Sequence, residues 1–263
     1  MLSRVPLLLA LLVLGGCAAL PALGGSEEPV STRPPEVGQC RLLEPDDVLA
    51  ASNASPPVDC ARKHTAETFA VGEFPDDVSS AEGDIDDPAL GAHVFDACEK
   101  QFRRFLGGDE SLVMRSTVTW AWFRPSQEAW DGGARWWRCD VVGGGEESTS
   151  LVTLPRTAEG ILLGDPEDKW LVCVDGPTVA DSVKIPCSEK HTWRAVTTIV
   201  LGENDEDYPG DRVVAARTRD YCSDSVGAWM NYPVDYDFGY TWFHEAEWKA
   251  GNRRSICWAK TGE

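Results

Sequence analysis

The chain has 263 residues, of which 43% are hydrophobic and 25% are charged, and 43 acidic against 24 basic side chains give a net charge of -19. This composition is ordinary for a globular protein, and the length suits one large domain or two small ones. A surface this acidic repels nucleic acid and anionic lipid headgroups, which excludes both as partner surfaces. A cationic ligand, a basic protein or divalent cations would fit it, although a role in solubility alone also explains the charge.

The N-terminus has the pattern of an export signal. Arg4 precedes an apolar run over 5–14, which is too short to span a bilayer as a helix. The Leu-Gly-Gly-Cys17 that follows resembles the bacterial lipobox, which implies removal of a signal peptide at 1–16 and acylation of Cys17. Two or three acyl chains, palmitate among them, would hold the protein on the extracytoplasmic face of the cell membrane. The alternative is an ordinary secretory signal in which Cys17 has no role.

Residues 17–36 are rich in Pro, Gly, Ser and Glu and lack apolar periodicity, which is typical of a flexible tether. Eight cysteines follow this tether, and an even number in an exported chain predicts disulfides. Many pairings of eight cysteines are possible, so their number alone does not fix the connectivity. They are Cys40, Cys60, Cys98, Cys139, Cys173, Cys187, Cys222 and Cys257.

Two motifs occur twice, once in each half of the chain. A Cys-x3-His motif that contains Lys-His-Thr is found at 60–65 and 187–192, and Trp-x2-Gly-x-Arg-x3-Cys is found at 130–139 and 248–257. The repeated order predicts an internal duplication, with two similar domains rather than a solenoid. The predicted domains are 37–145 and 169–263, and the predicted linker is 146–168.

In chain order, each half shows the same predicted elements. A segment of β-branched and aromatic residues predicts a strand, an acidic loop follows, a helix begins, and further strand segments end the half. Asp87 caps the first helix and Gly107 ends it, and Asp211 is the predicted cap of the second. The fold class is therefore α+β, roughly β-β-α-β-β in each half, with one main helix packed on an antiparallel sheet. The predicted strands include 67–74, 112–123 and 135–142, and then 193–201, 237–243 and 254–259.

This order places the third cysteine of each half on the helix and the fourth on the last strand. A disulfide between them would fasten helix to sheet, and the first and second cysteines would then pair. Each bridge would contribute roughly 3 to 4 kcal/mol in the chain-entropy estimate. In that arrangement the bridges are Cys40–Cys60, Cys98–Cys139, Cys173–Cys187 and Cys222–Cys257.

Together these motifs resemble the septum-formation family of actinobacterial exported and membrane proteins. The similarity rests on Val-Gly-Gln-Cys40, on Cys-x3-His64-x2-Glu67 and on the Trp-Gly-Arg-Cys motif at 130–139, and it extends over nearly the whole mature chain, once per half. The second half departs from the pattern, because Arg194 stands where Glu67 stands in the first. The resemblance implies a link to cell division and no particular reaction.

His64 and His191, with Glu67 beside the first, are candidate binding residues. A Cys-His metal site or a Cys-His nucleophile would need thiols that disulfides consume, and the spacings lack the short Cys-x2-Cys pairs of zinc modules. The sequence therefore predicts no metal ligand, no cofactor and no catalytic residue. Both histidines are interpreted as packed, hydrogen-bonded residues at the start of a strand, and a pH-sensitive or ligand contact is the alternative.

The chain has 11 Trp, a residue that usually lies in the core of small disulfide-bonded domains. Arg135 and Arg253 are predicted to stack on tryptophans as cation-π partners. As an alternative, exposed Trp122 and Trp136 would form a platform for a glycan. The acidic loop before each helix could bind Ca²⁺, but both loops lack the EF-hand spacing, and the helix dipole explains them as well.

These observations favour a membrane-anchored lipoprotein that acts as a non-enzymatic binding module in cell-envelope or septum formation. Its expected partners are the cell membrane, through the lipid anchor, and a protein or cell-wall component, with no nucleic acid. The alternatives are an exported cell-wall-acting enzyme or a glycan-binding protein, with a site between the two domains.

Overall fold

The computed structural model describes residues 31–78, 83–144, 150–180, 182–203 and 205–262, so Cys17 and the signal segment lie outside the described residues. The first half forms a four-stranded antiparallel sheet in the order β1-β2-β4-β3. Its elements are β1 (Cys40–Arg41), α1 (Pro45–Leu49), β2 (Ala66–Glu73), α2 (Pro88–Leu106), α3 (Glu110–Met114), β3 (Thr119–Phe123), α4 (Gln127–Asp131) and β4 (Trp136–Val142).

The second half forms a five-stranded antiparallel sheet in the order β6-β5-β7-β9-β8. A short 3-10 helix at Asp168–Trp170 precedes it. Its elements are β5 (Val172–Val174), β6 (Lys184–Pro186), β7 (Trp193–Val200), α5 (Asp211–Trp229), β8 (Phe238–Thr241), α6 (Glu245–Lys249) and β9 (Arg254–Lys260). With two antiparallel sheets and few helices, the α+β class is confirmed.

Helix α2 forms where its local signals predict. The Asp87 side chain accepts a hydrogen bond from the backbone N–H of Ala89, Pro88 occupies the first turn, and Gly107 ends the helix with φ 75°. A left-handed residue at this position favours glycine because a side chain there is strained. Every fourth residue of one stripe is buried against the sheet: Leu90, Val94, Cys98, Phe102 and Leu106.

Two of the predicted element ends are wrong. The segment 112–123 does not begin as a strand, because Asp109 accepts a hydrogen bond from the N–H of Leu112 and starts the short helix α3. Asp211 is also not the cap of α5, since Gly210 holds that place and Asp211 is the first helical residue. The Asp211 carboxylate instead bonds to side chains outside the helix.

Four disulfides are present, and the pairs are the ones that the repeated order predicts. In each half, one bridge joins the first and second cysteines, and the other joins the main helix to the last strand. The helix-to-strand cysteines are all 0% exposed. The bridges are Cys40–Cys60, Cys98–Cys139, Cys173–Cys187 and Cys222–Cys257.

The described part of the predicted linker, 150–168, packs largely onto the first sheet. Leu154, Ala158 and Leu162 are buried in the same core as α2, and the backbone N–H of Leu154 donates to the carbonyl of His64. From Ser31 onward the chain forms one compact unit. None of the helices in the described ranges is both long and apolar enough to cross a membrane.

The disulfides lead to a stability prediction that depends on loop length. The half-cystines of Cys98–Cys139 are 41 residues apart and those of Cys173–Cys187 are 14 apart. Replacing both cysteines by Ala is expected to cost about 4 kcal/mol for the longer loop and about 3 kcal/mol for the shorter one, because the longer loop restricts the unfolded chain more. Urea unfolding of the two double variants measures this, and a larger loss at Cys173–Cys187 would contradict it.

Candidate functional site

The two Lys-His-Thr motifs form the same turn. The Nδ1–H of His64 donates to the carbonyl of Arg62 at 2.8 Å, and that of His191 donates to the carbonyl of Glu189 at 2.8 Å. His64 is 1% exposed, and its Nε2 has no hydrogen-bond partner among the described residues. Each histidine therefore closes the turn that follows a disulfide, which accounts for its presence in both halves.

Glu67 is buried next to this turn, but its oxygens bond elsewhere. They accept from the hydroxyl of Thr157 at 2.9 Å and from the backbone N–H of Ala158 at 2.6 Å. Burial raises the pKa of the Glu67 carboxyl, while those hydrogen bonds and the charge of His64 act in the opposite direction. At the matching position Arg194 pairs with Asp168 at 2.7 Å, so in each half this position binds the chain that connects the two sheets.

The predicted cation-π pairs are present in both halves. Arg135 lies 3.9 Å from the ring centre of Trp130, and Arg253 lies 3.7 Å from that of Trp248. In each case a glycine between the two, with φ 96° or 92°, turns the chain so that the arginine comes back over the ring. The two indole N–H groups donate at 3.0 Å to backbone carbonyls of the acidic loops, at Gly83 and Glu206. The motif thus holds the acidic loop in place.

Trp122 and Trp136 do not form an exposed row. Trp136 is 9% exposed and packs against Ala129 and Ala134, and Trp122 is half-buried next to α2. The glycan platform predicted at these two tryptophans is therefore not supported by their exposure.

A buried polar cluster lies on the face of the first sheet opposite α2, and no local sequence pattern points to it. The Arg41 guanidinium donates to the Thr68 hydroxyl at 2.7 Å, which in turn donates to Asp140 at 2.7 Å. Arg138 lies 3.1 Å from Asp140 and donates to Asn53 at 3.2 Å. Burial lowers the pKa of Arg138 to about 10, against the charge of Asp140. The segment between Cys40 and Cys60 covers this cluster.

The corresponding face of the second sheet is partly open and has apolar residues in place of the buried charges. When Cys257 is aligned with Cys139, Ile256 and Trp258 replace Arg138 and Asp140. A groove of about 660 Å³ lies there, a size that is typical of small-ligand sites. Its apolar lining includes Met114 of α3, and polar side chains stand among it. Those polar residues are Ser182, Lys184, Thr241, Glu247, Asn252 and Arg254.

A surface cluster of titratable groups lies at the start of α5. Asp211 accepts hydrogen bonds from His244 Nδ1 at 2.8 Å and from the Tyr208 hydroxyl. The bond to Asp211 raises the pKa of His244, and the bonds from Tyr208 and His244 lower the pKa of Asp211. Partial desolvation and Asp211 raise the pKa of Tyr208 to about 12. Tyr208 is three residues from Asp211, but His244 is 33 residues away, so only the fold brings the histidine to this cluster.

Within the described ranges, no group of three or more His, Cys, Asp or Glu side chains could hold a metal ion. The groove and the surface cluster also involve none of the sequence-predicted binding residues, whether His64, Glu67, His191, Trp122, Trp136, Arg135 or Arg253.

A family model described as Septum formation matches residues 37–257, a span that includes the first sheet and the second sheet as far as Cys257 in β9. No curated protein and no solved structure matches the chain.

The raised pKa of Glu67 predicts a pH-dependent stability. Because the folded protein holds this proton more tightly than the unfolded chain, stability is expected to fall as pH rises from about 4.5 through the folded pKa. Glu67→Gln should flatten this slope in urea unfolding measured across that range. Glu73→Gln, an exposed position on the same strand, should keep the wild-type slope. Equal slopes for wild type and Glu67→Gln would contradict the prediction.

The bond between His244 and Asp211 predicts an elevated imidazole titration. NMR should place the pKa of His244 above its ordinary value of about 6.5, and Asp211→Asn should return it towards that value. The stabilisation from this bond is present below about pH 6.5, where His244 is protonated, and it is lost as pH rises through the raised pKa of His244 in the folded protein. Asp224→Asn, on the same helix as Asp211, should leave the pKa of His244 unchanged. A wild-type His244 with the ordinary pKa would disprove the bond to Asp211.

Proposed function

The chain belongs to the septum formation family, and on that basis we propose that it is a lipid-anchored, extracytoplasmic binding protein with a role in cell-envelope or septum formation. The family match over 37–257 is the observation that carries this proposal. Binding rather than catalysis is the role assigned to the folded region. The anchor is assigned to Cys17, from its Leu-Gly-Gly-Cys sequence.

The disulfides support the proposed location. Four bridges in a chain of this size form and persist where the environment is oxidising, outside the bacterial cytoplasm. The lipobox-like segment and the tether at 17–36 would present the folded region at the outer face of the membrane.

We also propose that the two halves arose by duplication, as tandem copies that together make up the family domain. The aligned strands follow the same order, β1-β2-β4-β3 and β5-β7-β9-β8. The strand pairing shifts register at one matching place in each, between Thr68 and Ala70 and between Ala195 and Thr197. The shared disulfide pairs and the two cation-π pairs support the same origin.

The site geometry supports binding over catalysis. His64 and Glu67 are buried and hydrogen-bonded to the backbone, as structural residues are. The groove on the second sheet combines an apolar floor with separate polar groups, which suits recognition of a ligand.

Replacing Cys17 tests the anchor. Cys17→Ala should abolish incorporation of a labelled fatty acid and release the protein from the membrane fraction, since no acyl chain would remain to hold it. Cys60→Ala, which removes a cysteine that the structure places in a disulfide with Cys40, should keep the label. Retention of Cys17→Ala in the membrane fraction would disprove lipid anchoring.

Deletion of the gene tests the role in septation. The expected result is a longer distance between septa under the microscope, restored by the wild-type chain and not by Cys17→Ala. Normal septum spacing in the deletion strain would disprove the role, independently of the anchor result.

A further inference from the structure

Strand β8 is an unprotected edge of the second sheet. It pairs with β9 over Phe238–Thr241 in an uninterrupted register, and no other described strand lies along its outer side. Edge strands are usually blunted by being very short or by lysine, proline or a bulge. Strand β8 is short, with four residues, but it contains no lysine, proline or bulge. Its outer side is therefore open to pairing with another extended chain.

An aromatic row runs along this edge. Tyr236, Phe238, Tyr240 and Trp242 alternate with other residues, and successive ring centres lie 6.4, 6.4 and 5.7 Å apart. All four rings are half-buried, since one side of the row rests against α5, where the Tyr236 hydroxyl donates to the carbonyl of Ser223 at 2.8 Å. We call these four residues the aromatic edge.

The turn before β8 holds another tyrosine in a strained conformation. Asn231 and Tyr232 have φ of 63° and 51°. A positive φ is uncommon for residues other than glycine, and it is an outlier for a bulky residue such as tyrosine. Even so, the Tyr232 ring is 71% exposed, and nearby Val234 is fully exposed. The N–H groups of Asn231 and Tyr232 donate to the carbonyls of Ala228 and Gly227, so these conformations end helix α5. They place the exposed Tyr232 ring beside Gly227, which the Tyr236 ring also approaches.

Acidic residues flank the edge at both ends. Asp235 and Asp237 precede β8, Glu245 and Glu247 follow it, and all four are exposed. Asp237 is paired with Lys260 and Glu245 with Lys249. Together with the net charge of -19, these carboxylates make the surroundings of the edge favourable to a cationic partner and unfavourable to a second copy of this chain.

We propose that β8 is a docking strand for an extended, basic segment of a partner protein, which adds to the sheet as an outer strand. Backbone groups of β8 provide the pairing, the aromatic edge and Tyr232 contact aliphatic and cationic side chains, and the flanking carboxylates select positive charge. An open backbone edge favours a peptide over a glycan, because a glycan cannot continue the strand pairing. The inference deepens the proposed binding role and does not depend on the lipid anchor or on septation.

Synthetic peptides test this docking on the full-length chain in neutral detergent. A fluorescent peptide in which Lys alternates with Thr should bind, and more weakly as salt is raised. A peptide with Glu in place of Lys should not bind, and neither should a fully N-methylated form of the Lys peptide, which cannot donate backbone hydrogen bonds. Failure of the Lys peptide to bind, or equal binding of either control, would overturn the proposal.

Variants then locate the site. Tyr232→Gly should weaken peptide binding about tenfold, as expected for one interface tyrosine. Its thermal midpoint should be unchanged or higher, since glycine is relaxed at this φ. Tyr240→Ala should also weaken binding, whereas Trp120→Ala, at a half-buried position on β3, the edge strand of the first sheet, should not. Unaltered peptide binding by Tyr232→Gly and Tyr240→Ala would overturn the proposal. It would also be overturned if the wild-type chain self-associates and Tyr240→Ala abolishes that association, because the edge would then bind a second copy.

Discussion

A buried disulfide between helix and central strand determines how each half is arranged. Cys98 on α2 is bonded to Cys139 on β4, and Cys222 on α5 to Cys257 on β9. Each of these strands has a neighbour on both sides, so the bond fixes the helix over the middle of its sheet. The acidic loop leads into the start of this helix, and the indole N–H of the tryptophan in the repeated motif donates to a backbone carbonyl of that loop.

The two halves keep this framework and differ on the opposite face of the sheet. The first half buries two arginines around Asp140 beneath the segment that holds Asn53. Buried charges of this kind contribute little net stability, but losing one partner is costly. The second half has Ile256 and Trp258 in place of Arg138 and Asp140 and leaves a groove between this face and α3. The first half is therefore closed over by its own chain, and the second half leaves this face of its sheet partly open.

Features with a local signal could be predicted from the sequence. The caps of α2, the arginines over Trp130 and Trp248, and the four disulfides follow from short motifs and from their repetition. Features made by distant residues could not. Asp211 has the sequence context of a cap, yet besides nearby Tyr208 it bonds to His244, which is 33 residues away and reaches it only through the fold. The alternation from Tyr236 to Trp242 is visible in the sequence, but only the strand order shows that it lies at an edge.

The segment that connects the two sheets limits where this protein can be divided into parts that keep their cores. Leu154, Ala158 and Leu162 complete the first core, although in the sequence they follow the glycine-rich stretch between the two halves. A break of the chain within that stretch would leave the first half with a hole in its interior and the second half with apolar side chains that nothing covers. The smallest part of this protein that keeps its core filled is therefore the pair of sheets, and the family match extends over strands of both.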